Sequence, residues 1–358
     1  MAALLASELA RMGHQVSLVS LFDPAASWIE AELRSANVSM HFLGKRPGLD
    51  LRMIPRLARV LRRERPETVH THLHTLKYVL PACVAWRKCS VVHTLHNLAQ
   101  HEIERSGQIF QRCAFRLGVA PVAIGAAVAE SIREVYSVSA LATIPNGIPV
   151  ARYRAADGDR ESTRSALSLP SGVPVFLTVG RLNAQKDHAT LLRAFADSRL
   201  RALDARLVIA GTGELRRDLE EQVRELDLSA RVQFLGVRGD VPALLAAADV
   251  FVLASRWEGN PLVVMEAMAS GRPVVATRVG CVPELTSSAT GRLVLPGDSA
   301  ALADALVELG ADRELAGVLG CAAAETAAAR FDVSVMAQAY ADFFARRTGD
   351  LLPTEVSC

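Results

Sequence analysis

Short apolar runs alternate with amphipathic helical stretches along almost all of this chain, and that alternation predicts an α/β protein with largely parallel sheets. A turn-rich break at Pro145-Asn146-Gly147-Ile148-Pro149 interrupts it, and a polar stretch follows to about Gly172. Beyond the break the pattern restarts cleanly as strand, glycine turn and helix. Two Rossmann-like domains facing across a cleft are therefore expected, with the ligand in that cleft. The expected domains are residues 1–160, residues 161–330, and a closing helix within 331–358 that returns toward the first.

In the first half, Gln15–Leu21 and Thr68–His74 read as strands, with a helix over Asp50–Arg65 between them. Val91–His96, Pro121–Ile124 and Ala142–Ile144 follow as further strands. In the second half the strands are Val175–Val179, Arg206–Ala210, Val232–Phe234, Asp249–Leu253 and Val274–Ala276. A helix begins in Ala189–Ala196, and a last amphipathic helix covers Asp332–Arg347. The start departs from the usual order of strand, glycine-rich turn and helix. Helix-like Ala2–Met12 leads straight to what reads as the second strand, so the first strand and its loop are expected to be missing, through a misplaced or truncated start.

With 358 residues, half of them hydrophobic, the chain is long enough for two domains with sizeable cores, which excludes disordered and collagen-like classes. Six scattered cysteines (Cys83, Cys89, Cys113, Cys281, Cys321, Cys358) form no CxxC pair. Reduced thiols are expected, rather than zinc ligands or a disulfide framework. No run reaches the roughly 20 apolar residues that span a bilayer, and Glu8, Arg11 and His14 interrupt the apolar start, so no signal peptide is read. A cytoplasmic protein is expected.

Charge is uneven: residues 1–160 hold 20 Lys/Arg against 13 Asp/Glu (+7) and the remainder 20 against 25 (−5), summing to +2. A basic first half suggests an anionic partner. Arg52, Arg56, Arg59 and Arg63 share one helical face at i, i+4, i+7, i+11, opposite Leu51, Ile54, Leu57, Ala58 and Leu61. A solvated face is the plain reading; contact with an anionic membrane surface on the inner face is the sharper one. No nucleic-acid partner is expected.

The most informative stretch runs from Arg256 to Ala276. Glu258 precedes a helix start and Glu266 lies inside that helix, with Asn260 suited to the N-cap and Pro261 to the first helical position. A helix N-terminus presents free N–H groups and partial positive charge to a phosphate. Two carboxylates beside such a seat suit a ligand with both a diphosphate and hydroxyls, as a nucleotide-sugar has. Arg181 and Lys186 suit the diphosphate, one as a planar fork and one as a compact charge. Gly211-Thr212-Gly213 lacks the third glycine of a dinucleotide loop, Arg216 standing in its place, so a nicotinamide site is excluded.

Several stretches in order carry a family resemblance: Ile144-Pro145-Asn146-Gly147-Ile148; Val179-Gly180-Arg181-Leu182 with Gln185-Lys186-Asp187; Leu207 to Glu214; Val232-Gln233-Phe234-Leu235-Gly236; and Glu258 to Glu266. With these the chain resembles retaining glycosyltransferases of the GT-B fold, family 4. The resemblance implies a metal-independent, cofactor-free transfer of sugar from a nucleoside diphosphate donor, UDP-linked, to a glycan or lipid-linked acceptor. It implies that Arg181 and Lys186 stabilise the departing diphosphate, that Glu266 holds ribose, and that Glu258 holds the transferred sugar. Gly180, Gly213, Val237, Gly259, Asn260, Leu262 and Val263 are implied as further donor contacts. His96 is implied to position sugar and acceptor. Relatives commonly carry glycine where Cys281 stands. His70, His72 and His74 alternate and so share a strand face; packing against a helix is the expected role, since no carboxylate or cysteine sits at ligand spacing. Rival readings are a GT-B epimerase and an inactive nucleotide-binding scaffold.

Overall fold

The structure, a computed structural model, describes residues 1–24, 28–84, 89–154 and 160–349; Cys358 lies outside them. Two compact units emerge. One holds residues 1–147 and resumes at Val333, and the other holds residues 148–332.

In the first unit, β1 (Ser17–Ser20) pairs in parallel with β2 (Ser39–Phe42). A separate parallel sheet runs β3 (Thr68–His72), β4 (Ser90–Leu95), β5 (Ala120–Ala123) and β6 (Ala142–Thr143). Among the described residues no hydrogen-bonded ladder joins the two sheets; what joins them is the opening helix, Ala2–Arg11. Its Leu5 and Leu9, one turn apart, pack with Val92, Ala120 and Val122. Ala6, on the adjacent face, packs with Leu33 and Val38. The closing helix, Val333–Gly349, lies in the same unit and adds Met336, Ala337, Tyr340 and Phe343 to the first of these clusters. β2 escaped the sequence reading because Ser39-Met40-His41-Phe42 has no β-branched residue and is short.

The second unit is one parallel sheet. Its strands are β7 (Val175–Val179), β8 (Arg206–Ala210), β9 (Val232–Gly236), β10 (Val250–Leu253), β11 (Val274–Thr277) and β12 (Gly291–Val294), in the order β12-β11-β10-β7-β8-β9. Helices cover both faces, with Phe251, Leu177 and Val274 in one core and Phe176, Ile209 and Val252 in the other. This two-sided burial is why the strands read as continuous apolar runs. The first strand of the unit, β7, lies in the middle. Chain direction across the sheet reverses between β7 and β10, and at such a switch point the loops leaving the carboxyl ends diverge and open a crevice.

The division between units falls after Gly147 rather than at residue 160. Val150 and Tyr153, on the helix Val150–Arg154, are buried in the second unit's core. Arg160 and Arg164 then fasten the helix Arg160–Ala166 to the end of the helix Val241–Ala247. Arg160 donates to the carbonyls of Ala246 and Ala248 at 2.8 Å, and Arg164 to that of Ala247 at 2.8 Å. These bonds satisfy carbonyls that a helix end leaves without partners. Asp249 receives both guanidiniums, at 2.5 and 2.8 Å, and also the N–H of Val175 at 2.7 Å. Asp249→Ala leaves Arg164 buried without its carboxylate. We expect the second unit to lose about 2 kcal/mol, discounted for partial exposure, and its melting temperature to fall by about 4–8 °C. Calorimetry showing a shift under 1 °C would remove this role.

Candidate active site

The crevice beside β7 is built by two loops laced to each other. The loop after β7 carries Gly180 to Asp187, and the loop after β10 carries Ser255 to Pro261. The N–H of Arg256 donates to the carbonyl of Gln185 at 2.8 Å, and Gln185 Nε2 returns a bond to the carbonyl of Trp257 at 3.0 Å. Arg256 Nε donates to Asp187 Oδ2 at 3.0 Å. Asp187 adopts a left-handed backbone and caps the helix His188–Phe195 through Thr190. Lys186 Nζ donates to Glu258 Oε1 at 2.5 Å, and Ser255 Oγ donates to the same oxygen at 2.6 Å. Lys186 and Glu258, expected on different parts of the ligand, are thus in direct contact. Glu258 is buried, and its Oε2 takes no partner among the described residues.

Arg181 is exposed, and its guanidinium makes no hydrogen bond or ion pair among the described residues. Gly213, expected at the donor, is required by packing: a Cβ there would stand 2.3 Å from the Leu182 carbonyl oxygen. Leu182 and Thr212 also share a backbone bond of 3.0 Å, which locks the β7 and β8 loops together. Gly280 plays the same part on the other side, with φ +50° and a Cβ position 1.9 Å from the Glu258 carbonyl oxygen. Cys281, beside it, is fully buried, and its N–H donates to the Gly259 carbonyl at 3.0 Å. Val237 follows β9 and is exposed.

The helix after the β10 loop is Leu262–Ala269, one residue later than expected, so Pro261 takes the N-cap position and no side chain caps it. The displacement follows from the extended backbone of Pro261, ψ 114°, which keeps it outside the helix. Asn260 is therefore buried one position ahead of the cap, and the N–H groups of Leu262 and Val263 open the helix. Glu266 sits on the second turn. Burial pushes its carboxyl upward, while a hydrogen bond from Tyr153 pulls the other way. Tyr153 was not singled out from sequence: an ordinary tyrosine beyond the turn-rich break carries no local mark that it reaches this helix.

In the first unit, His96 follows β4 and is half-buried. Its Nε2 lies 2.8 Å from Nδ1 of His72. Glu102, on the short helix Ala99–Glu102, accepts the N–H of His96 at 3.4 Å. Burial raises Glu102 to about 7, and burial holds His70 and His93 at about 3 and His96 at about 4. Of the three alternating histidines, only His70 and His72 share the strand face; His74 turns out on the short 3-10 helix Leu73–Thr75 and is exposed. His70 packs on Tyr340 and Phe344 of the closing helix.

The arginine face is also redrawn. The helix is Met53–Glu64 and buries Met53, Leu57 and Leu61, while Leu51 is exposed. Arg52 precedes it and grips Asp50 at 2.8 and 2.6 Å. Arg56 donates to the Leu43 carbonyl, which leaves Arg59, Arg62 and Arg63 exposed. Among the described residues no helix is long and apolar enough to cross a membrane.

These groups set a pH dependence for the first unit. The histidines have folded values below their ordinary 6.5, so the stability they allow is lost as pH falls below that value. Glu102, raised above 4.5, works oppositely, its contribution being lost as pH rises toward about 7. Urea unfolding from pH 6.5 to 4.5 should show a loss of roughly 2–3 kcal/mol per fully buried histidine. Glu102→Gln removes the opposing contribution and should steepen the decline between pH 6.5 and 4.5; a stability that rises on acidification contradicts the assignment.

The family profile described as Glycosyltransferase Family 4 matches residues 1–152, and that described as Glycosyl transferases group 1 matches residues 173–312. The UDP-Gal:alpha-D-GlcNAc-diphosphoundecaprenol alpha-1,3-galactosyltransferase of Escherichia coli is 31% identical over 247 residues, 64% of this chain and 62% of that protein. The chain thus spans under two thirds of that relative's length. The N-acetyl-alpha-D-glucosaminyl L-malate synthase of Bacillus anthracis is 26% identical over 91% of this chain and 88% of that protein. In fold, the chain matches Anabaena Alr3699/HepE, solved with UDP and glucose, at a TM-score of 0.82 and 22% identity, covering 96% of each chain. A glycosyltransferase from Rickettsia africae matches at 0.81 and 20% identity, over 96% of this chain and 93% of that one. The two profiles in tandem, on two Rossmann-like domains of the GT-B fold, show that this chain belongs to the group 1, family 4 glycosyltransferases.

Proposed function

We propose that this chain transfers a sugar from a UDP-linked donor to a glycan or lipid-linked acceptor, with retention at the anomeric carbon and without a metal. The observation that carries the reading is the junction of Lys186, Glu258 and Ser255 at the switch point of the second unit. A buried carboxylate with one oxygen bound and the other open suits a sugar hydroxyl. Beside it, Arg181 and the three-donor ammonium of Lys186 suit a diphosphate that gains charge as the bond to the sugar breaks. That pair takes the charge-stabilising role a divalent ion fills elsewhere.

Glu266 is assigned to the ribose hydroxyls, oriented by Tyr153. The N–H groups of Gly259, Leu262 and Val263 are assigned to sugar and phosphate oxygens, with Gly180 and Val237 lining the donor. His96 is assigned to hydroxyls of the transferred sugar or acceptor. In retaining transfer the acceptor attacks the face from which the diphosphate leaves, so a diphosphate oxygen can take its proton. The name of the E. coli relative supports a UDP-sugar and a lipid-linked acceptor. A relative in Corynebacterium glutamicum is named GDP-mannose-dependent, so base choice calls for a direct test.

Release of UDP or GDP should be followed with a panel of nucleotide-sugars, with and without polyprenyl-diphosphate sugars and free glycans. The expected result is UDP release that depends on acceptor. Acceptor-independent turnover would favour an epimerase, and turnover unchanged in Glu258→Ala would favour a scaffold. We expect Glu258→Ala and Arg181→Ala each to lower kcat/KM on the order of a hundredfold.

For a lipid-linked acceptor, we propose that Arg59, Arg62 and Arg63 meet anionic headgroups. Sedimentation with phosphatidylglycerol vesicles should weaken by about 1 kcal/mol per residue on reversal to glutamate, with no binding to phosphatidylcholine vesicles. Equal sedimentation of the reversed variant would exclude the surface.

A further inference from the structure

His96 is held by a ring that nothing in the family reading uses. His72 ends β3, two residues beyond His70, and β3 pairs in register with β4 so that His72 lies opposite Thr94. Nδ1 of His72 stands 2.8 Å from Nε2 of His96, with the ring centroids 5.1 Å apart. His72 is itself fixed. Its N–H donates to Thr75 Oγ1 at 3.3 Å, and its carbonyl accepts from the same hydroxyl at 2.7 Å. On its other side the ring of His70 lies 4.2 Å away. His70 is pinned in turn, its Nε2 2.7 Å from Thr94 Oγ1, which is 2.8 Å from the Tyr340 hydroxyl. His72 therefore has little room to turn from His96.

The protons decide what this contact does. Burial keeps both imidazoles neutral near pH 7, so each carries one N–H, and a 2.8 Å nitrogen–nitrogen contact needs one of them between the rings. A neutral histidine in water favours the proton on Nε2. If both rings keep that tautomer, His96 Nε2–H donates to the bare Nδ1 of His72, and neither ring is forced from its preference. His96 Nδ1 is then an acceptor, and it has no partner among the described residues. We propose that His72 is a positioning residue for His96: by taking the Nε2 proton it commits His96 to offer Nδ1 as a hydrogen-bond acceptor to a hydroxyl of the sugar or of the acceptor. This deepens the proposed function and rests on its assignment of His96.

Two variants separate the hydrogen bond from the packing. His72→Phe keeps a ring and removes the acceptor; His72→Asn places an amide oxygen near the position of Nδ1. Two-bond proton–nitrogen spectra of the histidine rings should show His96 protonated at Nε2 in the wild type and in His72→Asn, and mixed in His72→Phe. In the transfer assay, His72→Phe should lower kcat/KM about tenfold, the worth of one positioned hydrogen bond, and His72→Asn should restore most of it. His72→Phe should cost nothing further in a His96→Ala background. An Nδ1–H tautomer in the wild type, or equal losses in His72→Phe and His72→Asn, overturns the positioning role while leaving His96 its place. Full turnover by His96→Ala with the Nε2–H tautomer intact overturns the assignment of His96, and the positioning role with it.

Discussion

The contact between Lys186 and Glu258 depends on two loops that are 72 positions apart in sequence and lie side by side only because β7 sits in the middle of its sheet. Strand order places the carboxyl ends of β7 and β10 next to each other, and everything at the crevice follows from that adjacency. A backbone bond from Arg256 to Gln185 and a bond from the Gln185 side-chain amide to the Trp257 carbonyl fix the loops without any charged side chain. Gly213 and Gly280 then let neighbouring backbones approach closer than a Cβ would allow. A buried ion pair is costly unless its remaining lone pairs and protons are used. Ser255 takes part of that burden, and the open oxygen of Glu258 leaves the rest to a ligand.

The first unit solves a different problem. Its strands lie in two sheets, and the opening helix spans them with Leu5 and Leu9 on one and Ala6 on the other. Two buried chains of hydrogen bonds run through this unit: His70, Thr94 and Tyr340 of the closing helix in one, and Thr71, His93, Gln111 and Tyr136 in another, with Gln111 on the helix Arg105–Arg116 and Tyr136 on the helix Ala126–Tyr136. Such a network is tolerable only when its members are satisfied, and the neutral rings meet that condition. The cost is sensitivity to acid, because a buried imidazole that must charge loses its solvation and its place.

The strands of the second unit were legible almost to the residue, because a sheet covered on both faces writes an unbroken apolar run between turn signals. Two strands escaped that reading: β2 of the first unit and β12 of the second are short, one carries a histidine and the other begins Gly291-Arg292, and neither stands out as a run. Residues of the candidate site stood out in the sequence where the chemistry is local. Arg181, Lys186, Glu258 and Glu266 each lie beside a strand end or a helix start that the pattern marks. Tyr153 and Glu102 were not, since neither has a neighbour in sequence that explains it. Tyr153 gains its meaning only when its helix packs on the helix bearing Glu266, and Glu102 only when its side chain turns back to the N–H of His96.

By itself, then, the sequence determined the α/β class, a division somewhere between the Pro145–Pro149 break and Gly172, the order along the chain of the strands it marked, and the residue types able to meet a diphosphate and hydroxyls. These follow from periodicity and turn chemistry, which act over a few residues. The tertiary structure alone decided that the helices Val150–Arg154 and Arg160–Ala166 belong to the second unit, that Lys186 rests on Glu258, that Gly213 serves packing, and that His72 faces His96. Each of those is a contact between segments far apart in the chain. Such contacts are set by which strands neighbour one another and which faces bury, and no local pattern carries that information.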